Sequence, residues 1–346
     1  MHSRVLNARP QAAAGFGRSK APGSRNSHVA IPSKVILTGP TACGKSALAL
    51  ELATRIGGEI VAMDSMTLYR SMDIGTAKPS AADRTRVPHH LIDVLDPWES
   101  ATVAWWLQQA DAACAEISSR GKRAIFVGGT PFYLKALLHG LFPGPPANPE
   151  LRARLEAEAE RDGREGLHAR LAVIDPKTAV RLHPNDVRRV VRALEVFQLT
   201  GKPISAWQQT WDTPAFAESP EAAPPPAAIP AVVVQLPREE LYRRVEARVG
   251  TMLERGWLEE VDRLRKLPQP LSREAGQALG YPELLNYLEG RGATWDETVT
   301  RIRTHTRQFA KRQLTWFRHL PRCVPIPAEA PDILVRILAA WECGDS

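Results

Sequence analysis

Two periodicities of apolar positions alternate along much of this chain. Lys34-Val35-Ile36-Leu37-Thr38 is a short, nearly continuous apolar run that stops at Gly39. Beyond it, Leu48, Leu52 and Ile56 recur at helical spacing, so strand, loop and helix are expected over 34–56, with the helix at 46–56. Residues 59–63 read as a second short strand ending at Asp64. Residues 102–120 read as a helix carrying Trp105, Trp106 and Leu107. Residues 124–127 read as another buried strand, ending at Gly128-Gly129-Thr130, with a helix over 132–138. Strands alternating with helices predict an α/β fold, a parallel sheet with helices on both faces.

The pattern changes at 142–149, which holds four prolines. Residues 150–172 are charged and helical, with Leu151, Leu155, Leu167 and Leu171 placed to form one apolar stripe. A Pro/Ala-rich stretch without periodicity covers 210–230. Val232, Val233 and Val234 then resume the sheet over 231–236, and helices are expected at 238–267, 281–289 and 296–318. The chain divides accordingly. A basic disordered tail covers 1–31, a first core segment 32–146 and an inserted helical domain 147–215. A second core segment, ending in basic helices, covers 216–320, and a tail or helix covers 321–346.

With 346 residues, 44% of them apolar, there is material for one large domain or for one domain with a smaller insertion. The net charge of +7 suits an anionic partner without specifying one. The cysteines Cys43, Cys114, Cys323 and Cys343 form no CxxC pair, which fits a reducing, cytoplasmic setting without a disulfide framework. No apolar run reaches the roughly 18 residues of a membrane span, so no membrane partner is expected. The tail is basic and free of acids, as a transit peptide would be, but a flexible extension is the simpler reading.

Gly39-Pro40-Thr41-Ala42-Cys43-Gly44-Lys45-Ser46 fits the phosphate-loop pattern G-x4-G-K-[ST] in full, between a strand and a helix. Its glycines let backbone N–H groups close around phosphate oxygens. The helix N-terminus adds partial positive charge, Lys45 reaches the outer phosphates, and Ser46 is a ligand for Mg²⁺. Asp64, at a strand's carboxyl end, should open onto the same crevice as Lys45 and Thr130, as a general base or a metal-associated carboxylate. A helix N-cap explains it equally well. Glycine stands at 128 and 129, where many nucleotide hydrolases carry an acid, which argues against a motor-type ATPase. Residues 298–320 hold Arg301, Arg303, Arg307, Lys311, Arg312 and Arg318 and no acid. Arg303, Arg307, Lys311 and Arg318 fall on one helical stripe, with Gln313, Trp316 and His319 among them. A nucleic-acid face is favoured over a solvated one. Arg181, His183, Arg188, Arg189 and Arg192 make a second basic cluster, interrupted by Asp186.

Taken together, these residues resemble the tRNA dimethylallyltransferases, also called tRNA isopentenyltransferases, over roughly 34–318. The resemblance rests on the phosphate loop and on Asp64-Ser65-Met66 with Tyr69-Arg70. It rests also on Met72-Asp73-Ile74-Gly75-Thr76-Ala77-Lys78-Pro79, Pro88-His89-His90-Leu91-Ile92-Asp93 and Gly128-Gly129-Thr130 with Tyr133. Further along it is carried by His183-Pro184-Asn185-Asp186, Arg192-Ala193-Leu194-Glu195, Ala278-Leu279-Gly280-Tyr281 and Ala310-Lys311-Arg312-Gln313-Leu314-Thr315-Trp316. The phosphate loop is shared widely; Asp73-Ile74-Gly75-Thr76-Ala77-Lys78-Pro79 and Lys311-Arg312-Gln313-Leu314-Thr315-Trp316 in one chain are far more specific.

The resemblance implies a P-loop NTPase-like fold with an inserted helical domain and a helical C-terminal region. It implies transfer of the dimethylallyl group from dimethylallyl diphosphate to N6 of the adenine 3′ to the anticodon in tRNA, with Mg²⁺ as cofactor and a monomeric enzyme. Asp64 matches the base, and Lys45 and Thr130 match groups beside the leaving diphosphate. Arg244 and Arg248 are the candidates for a clamping arginine, and Arg244 is the one taken. Four segments match tRNA contacts at the anticodon stem-loop: Asp64-Ser65-Met66-Thr67, Arg188-Arg189-Val190-Val191-Arg192, Gln277-Ala278-Leu279-Gly280-Tyr281 and Lys311-Arg312-Gln313-Leu314-Thr315-Trp316-Phe317-Arg318. Thr130 and Arg152 match as single positions. Cys43 replaces the usual serine, Ser46 the usual threonine, and Thr67-Leu68 and Ser71 depart from the common pattern. The zinc finger of eukaryotic members is absent, so the bacterial type is expected. A small-molecule P-loop kinase, a nucleotide-gated RNA-binding switch and a prenyltransferase acting on free adenylate are the competing readings.

Overall fold

The computed structural model describes residues 31–141, 144–207, 229–318, 320 and 323–342. The tail over 1–30 and most of the Pro/Ala-rich stretch at 210–230 lie outside the described residues, as do His319 and Cys343. The first half alternates as the sequence predicts. Strand β1 (Lys34–Thr38) leads into α1 (Lys45–Ile56), then β2 (Gly58–Ala62), α2 (Ala81–Arg86) and β3 (His89–His90). Next come α3 (Val103–Ser119), β4 (Arg123–Gly128) and α4 (Pro131–His139). Five helices follow: α5 (Pro149–Asp162), α6 (Arg164–Ile174), α7 (Pro176–Arg181), α8 (Val187–Thr200) and α9 (Ile204–Trp207). Then β5 (Ala231–Gln235) returns to the sheet. It is followed by α10 (Arg238–Glu254), α11 (Trp257–Arg265), α12 (Tyr281–Leu288) and α13 (Trp295–Arg318). The described chain closes with β6 (Cys323–Pro327) and α14 (Ile333–Glu342).

Among the described residues the strands form one six-stranded, wholly parallel sheet in the order β3-β2-β4-β1-β5-β6. The strand before the phosphate loop is central. Val35, Ile36 and Leu37 are buried on both faces, which is why that stretch reads as a continuous apolar run. One apolar cluster fills each face. Trp106, Phe126 and Tyr133 belong to one, Leu52, Val245 and Trp341 to the other.

Two elements depart from the sequence reading. The single helix expected over 238–267 breaks at Gly256, whose φ of +91° suits glycine and turns the chain between α10 and α11. The C-terminal segment, expected to be tail or helix, begins with β6, which pairs with β5 from Ala231↔Cys323 to Gln235↔Pro327. Pro325 and Pro327 obscure it as a strand in the sequence. They are tolerated because the strand lies at the sheet's edge.

Helices α5–α9 pack around their own apolar cluster, where Leu151, Leu155, Leu167 and Leu171 meet Val190, Val191 and Leu194. The expected leucine stripe is therefore a core. Glu195, fully buried, ties these helices together. It accepts from the Asn148 N–H (2.7 Å), from Arg152 Nε and Nη2 (2.9 Å each) and from Arg192 Nη1 (2.5 Å).

A second buried carboxylate orders the long connection between β2 and α2. Glu260 accepts from the backbone N–H groups of Asp73 (2.8 Å), Ile74 (2.7 Å) and Gly75 (3.2 Å), and from the Tyr281 hydroxyl (2.7 Å). Trp257 packs so close that a Cβ on Gly75 would lie 2.0 Å from its Nε1, and one on Gly280 2.1 Å from its ring. Lys78, its side chain buried, donates to Asp73 (2.8 Å) and Asp93 (2.5 Å), and Arg84 donates to Asp93 (2.6 Å).

These pairs set how the fold responds to acid. Burial pushes the Glu195 carboxyl up, but hydrogen bonds from Arg152, Arg192 and the Asn148 amide outweigh it and hold it below the usual carboxylate range. Asp93 is held low in the same way, burial being outweighed by Lys78 and Arg84. A depressed folded pKa means stability that is complete above the unfolded value of about 4 and lost as pH falls through the folded one. Unfolding free energy should therefore drop below pH of about 4, and Glu195→Gln should make that drop shallower. Urea denaturation across an acid pH series checks this; an identical acid slope in parent and variant contradicts it.

Candidate active site

The sheet's carboxyl edge gathers the groups that the sequence singled out. Residues 39–46 wrap from β1 into α1 through Gly44 in the left-handed region, φ +91°. Ala42 also has positive φ, at 65°, so the loop's peptide planes turn about the helix N-terminus. At Gly39 a Cβ would lie 2.7 Å from the Val234 carbonyl, so only glycine lets β5 approach. Lys45 Nζ donates to the Pro40 carbonyl (3.3 Å), which folds the side chain back over the loop. Ser46 is exposed at the start of α1.

A cavity of about 270 Å³ opens on this loop, lined by Ala42, Gly44, Lys45, Ser46, Ala47, Arg244 and Arg248. The two arginines differ. Arg244 Nε donates to Glu240 (2.6 Å), a carboxylate it shares with Arg243. Arg248 is half-buried, and among the described residues no carboxylate lies within ion-pair distance of it. Burial pulls its guanidinium below the ordinary value, opposed by the field of Asp64. A poorly solvated cation beside a phosphate loop is a site for an anion, and Arg248 fits that part better than the Arg244 favoured from sequence.

Asp64 lies two residues beyond the end of β2. Its Oδ1 accepts from the Met66 N–H (2.9 Å), so it closes a two-residue turn, and no helix starts there for it to cap. Its other carboxylate oxygen makes no protein hydrogen bond among the described residues. Thr130 Oγ1 accepts from the Ser65 N–H (3.2 Å) and thereby holds the Asp64 turn against the end of β4. A Cβ at Gly129 would lie 3.6 Å from Lys45 Nζ. Lys45, Thr130 and Asp64 thus belong to one crevice, as expected from the strand ends.

The segments matched to RNA divide by burial. Arg188 and Arg189 are exposed at the start of α8, as are Gln277 in the turn before α12 and Lys311, Arg312, Thr315 and Arg318 on α13. Other residues in the same segments are turned inward. Val190 and Val191 lie in the core of α5–α9, and Thr67, Ala278, Gly280 and Phe317 are buried. Tyr281 is buried with its hydroxyl on Glu260, and Met66 and Leu314 pack against the sheet's apolar clusters. Arg152 and Arg192 hold Glu195, so much of their hydrogen-bonding edge is committed within the protein. Gln313 does not lie on the basic stripe. It shares the buried face of α13 with Ala310 and Phe317. On the stripe itself, Arg307 pairs with Glu246 of α10 (2.8 Å), while Arg303 is exposed.

Sequence reasoning missed Glu260. The signal was present, because 257, 260, 261 and 264 form one helical face, and an acid there between Trp257 and Leu264 is an acid in a core.

For a magnesium ion the chain offers little by itself. Among the described residues there is no cluster of three or more His, Cys, Asp or Glu side chains able to hold a metal. The free Ser46 hydroxyl fits the phosphate-loop arrangement, in which the ion takes one protein oxygen and completes its shell from phosphate and water.

Comparison with known proteins identifies the family. The family model described as IPP transferase matches residues 67–320. A tRNA dimethylallyltransferase of Geobacter metallireducens is 50% identical over 284 residues, covering 82% of this chain and 89% of the relative. One from Roseiflexus castenholzii is 46% identical over 301 residues, 87% of this chain and 94% of the relative. Among solved structures, the full-length tRNA isopentenylpyrophosphate transferase of Bacillus halodurans superposes with a TM-score of 0.62 at 35% identity, over 90% of this chain and 97% of that one. A eukaryotic dimethylallyltransferase acting on tRNA gives 0.68 at 29% identity, over 86% and 74%. The chain belongs to the IPP transferase family, the tRNA dimethylallyltransferases.

Proposed function

We propose that this chain transfers the dimethylallyl group of dimethylallyl diphosphate to N6 of the adenine 3′ to the anticodon in tRNA, releasing diphosphate. The observation that carries the donor half is Arg248, a half-buried cation without a carboxylate partner among the described residues, facing the phosphate loop across the cavity. The acceptor half rests on family membership and on the exposed, largely acid-free face of α13. A tRNA acceptor would place the enzyme in the cytoplasm.

The bookkeeping of the reaction is simple. The allylic C–O bond to diphosphate breaks, the C–N6 bond forms, and N6 gives up one proton. Loop N–H groups, Lys45 and Arg248 receive the charge that grows on the leaving oxygen. Ser46 would hold Mg²⁺, which when bound neutralises diphosphate charge. Asp64, with one carboxylate oxygen fixed on Met66 and the other open, is oriented to accept the N6 proton. The adenine has to leave the anticodon-loop stack to reach Asp64, at a cost of a few kcal/mol. The exposed Arg188 and Arg189 support α5–α9 as the domain that closes on the anticodon stem, with Lys311, Arg312 and Arg318 tracking phosphates.

A small-molecule kinase reading leaves the exposed, largely acid-free face of α13 without a role. Gly128 and Gly129 argue only against a motor-type ATPase, whose acid at that place is missing.

Two variants test the assignment. Arg248→Ala should weaken dimethylallyl diphosphate binding by roughly ten- to a hundredfold, the scale of a lost charge-assisted hydrogen bond, and Arg244→Ala by much less. Calorimetric titration of both decides, and equal losses would remove the distinction. Asp64→Asn keeps shape and loses basicity, so single-turnover prenylation of a stem-loop should slow by about 10²–10⁴-fold with both dissociation constants little changed. A chemical step slowed less than about tenfold is too small for a general base and would shift attention to another carboxylate.

A further inference from the structure

Gln313 sits on the helix that carries the exposed arginines, yet it is 2% exposed and points the other way, into the protein. Its Oε1 accepts from the Thr41 N–H (2.9 Å), inside the phosphate loop. Its Nε2 donates to the Gly129 carbonyl (2.5 Å), at the end of β4. One amide head therefore bridges the loops that leave two adjacent strands, β1 and β4. Its position is shaped for it. Glycine at 129 leaves room for it, because a Cβ there would meet Nε2 at 2.7 Å and the Gly39 carbonyl at 3.0 Å. The residue after Gly129 is Thr130, whose hydroxyl holds the Ser65 N–H beside Asp64. Fixing Gly129 against Thr41 thus fixes the spacing between the diphosphate end of the crevice and its proton-accepting end. The Thr41 N–H is committed to Gln313, which sets the turn of the loop. The remaining N–H groups of the loop are thereby oriented.

We propose that Gln313 is a positioning residue for the reaction, setting the separation of the phosphate loop and the Gly129-Thr130 turn, and is not a contact to tRNA. This rests on the prenyl-transfer reading above. The role needs an acceptor and a donor on one head of this length. Methionine supplies neither; glutamate supplies the acceptor and sets an oxygen against the Gly129 carbonyl.

The test compares the parent with Gln313→Met and Gln313→Glu in the full chain. Three quantities are read: the dissociation constant for inorganic pyrophosphate, that for an unmodified anticodon stem-loop, and the single-turnover prenylation rate with both substrates saturating. Both variants should bind pyrophosphate more weakly and turn over more slowly, each by roughly ten- to a hundredfold, the scale of one or two lost buried hydrogen bonds. Stem-loop affinity should stay at the parent's value. That split separates positioning from general loosening, which would weaken both ligands. Should the methionine variant not fold, the glutamate variant, which keeps length and polarity, gives the same reading. Weakened stem-loop binding with parental pyrophosphate affinity would overturn the proposal, as would parental values throughout. Pyrophosphate affinity reads the positioning role on its own, whereas a parent protein that fails to prenylate the stem-loop counts against the reaction.

Discussion

The crevice is organised around positive charge that the protein does not neutralise itself. Arg248, Lys45 and the N-terminus of α1 face one small cavity, and Asp64, whose field acts on Arg248, makes no ion pair with it among the described residues. Elsewhere the chain pairs its buried charges closely: Glu195 with Arg152 and Arg192, Lys78 with Asp73 and Asp93. Withdrawing a cation from water without a partner is costly, and removing one partner of a fully buried pair costs about 3–5 kcal/mol. The contrast marks the crevice as the place where a polyanion belongs. The rest of the site follows from holding that anion near a base: glycines at 39, 128 and 129 for close approach, Thr130 on the Asp64 turn, and Gln313 across the gap.

Two of the strings that carry the family resemblance hold architecture. Asp73-Ile74-Gly75 and Gly280-Tyr281 are gathered by Glu260 and Trp257, 180 residues and more along the chain from the first of them. Glu195 plays the same part in α5–α9. A buried carboxylate that accepts three or four hydrogen bonds specifies one arrangement of its donors, because any slip leaves a polar group unsatisfied. These motifs place the chemistry and do not perform it.

Much of the first half was legible because a buried parallel strand and an amphipathic helix differ plainly in period. Val35–Leu37 and the leucines of α1 left little choice, and the phosphate loop between them fixed one end of the crevice. What was not legible had physical reasons. The prolines at 325 and 327 hid β6, which only an edge position permits. Gly256 broke a pattern that periodicity alone reads as continuous. Arg244 and Arg248 are one helical turn apart and equal in sequence terms; they are separated only by Glu240, which lies within reach of one. Segment matching placed Val190, Val191, Phe317 and Gln313 among RNA contacts, but a helix that touches RNA on one face must bury the other. Arg307 met its acid on α10, which the charge pattern of α13 alone does not show.

The central claim is that one crevice brings an allylic diphosphate and a tRNA adenine together over Asp64. It is tested most directly by incubating the parent protein with an unmodified anticodon stem-loop, dimethylallyl diphosphate and Mg²⁺, and weighing the RNA and its nucleosides by mass spectrometry. The account predicts a gain of one dimethylallyl group on the adenine 3′ to the anticodon, dependent on that adenine and on the diphosphate donor. RNA that is bound but unchanged in mass, or a phosphate transferred from ATP to a small acceptor by the same protein, would contradict it.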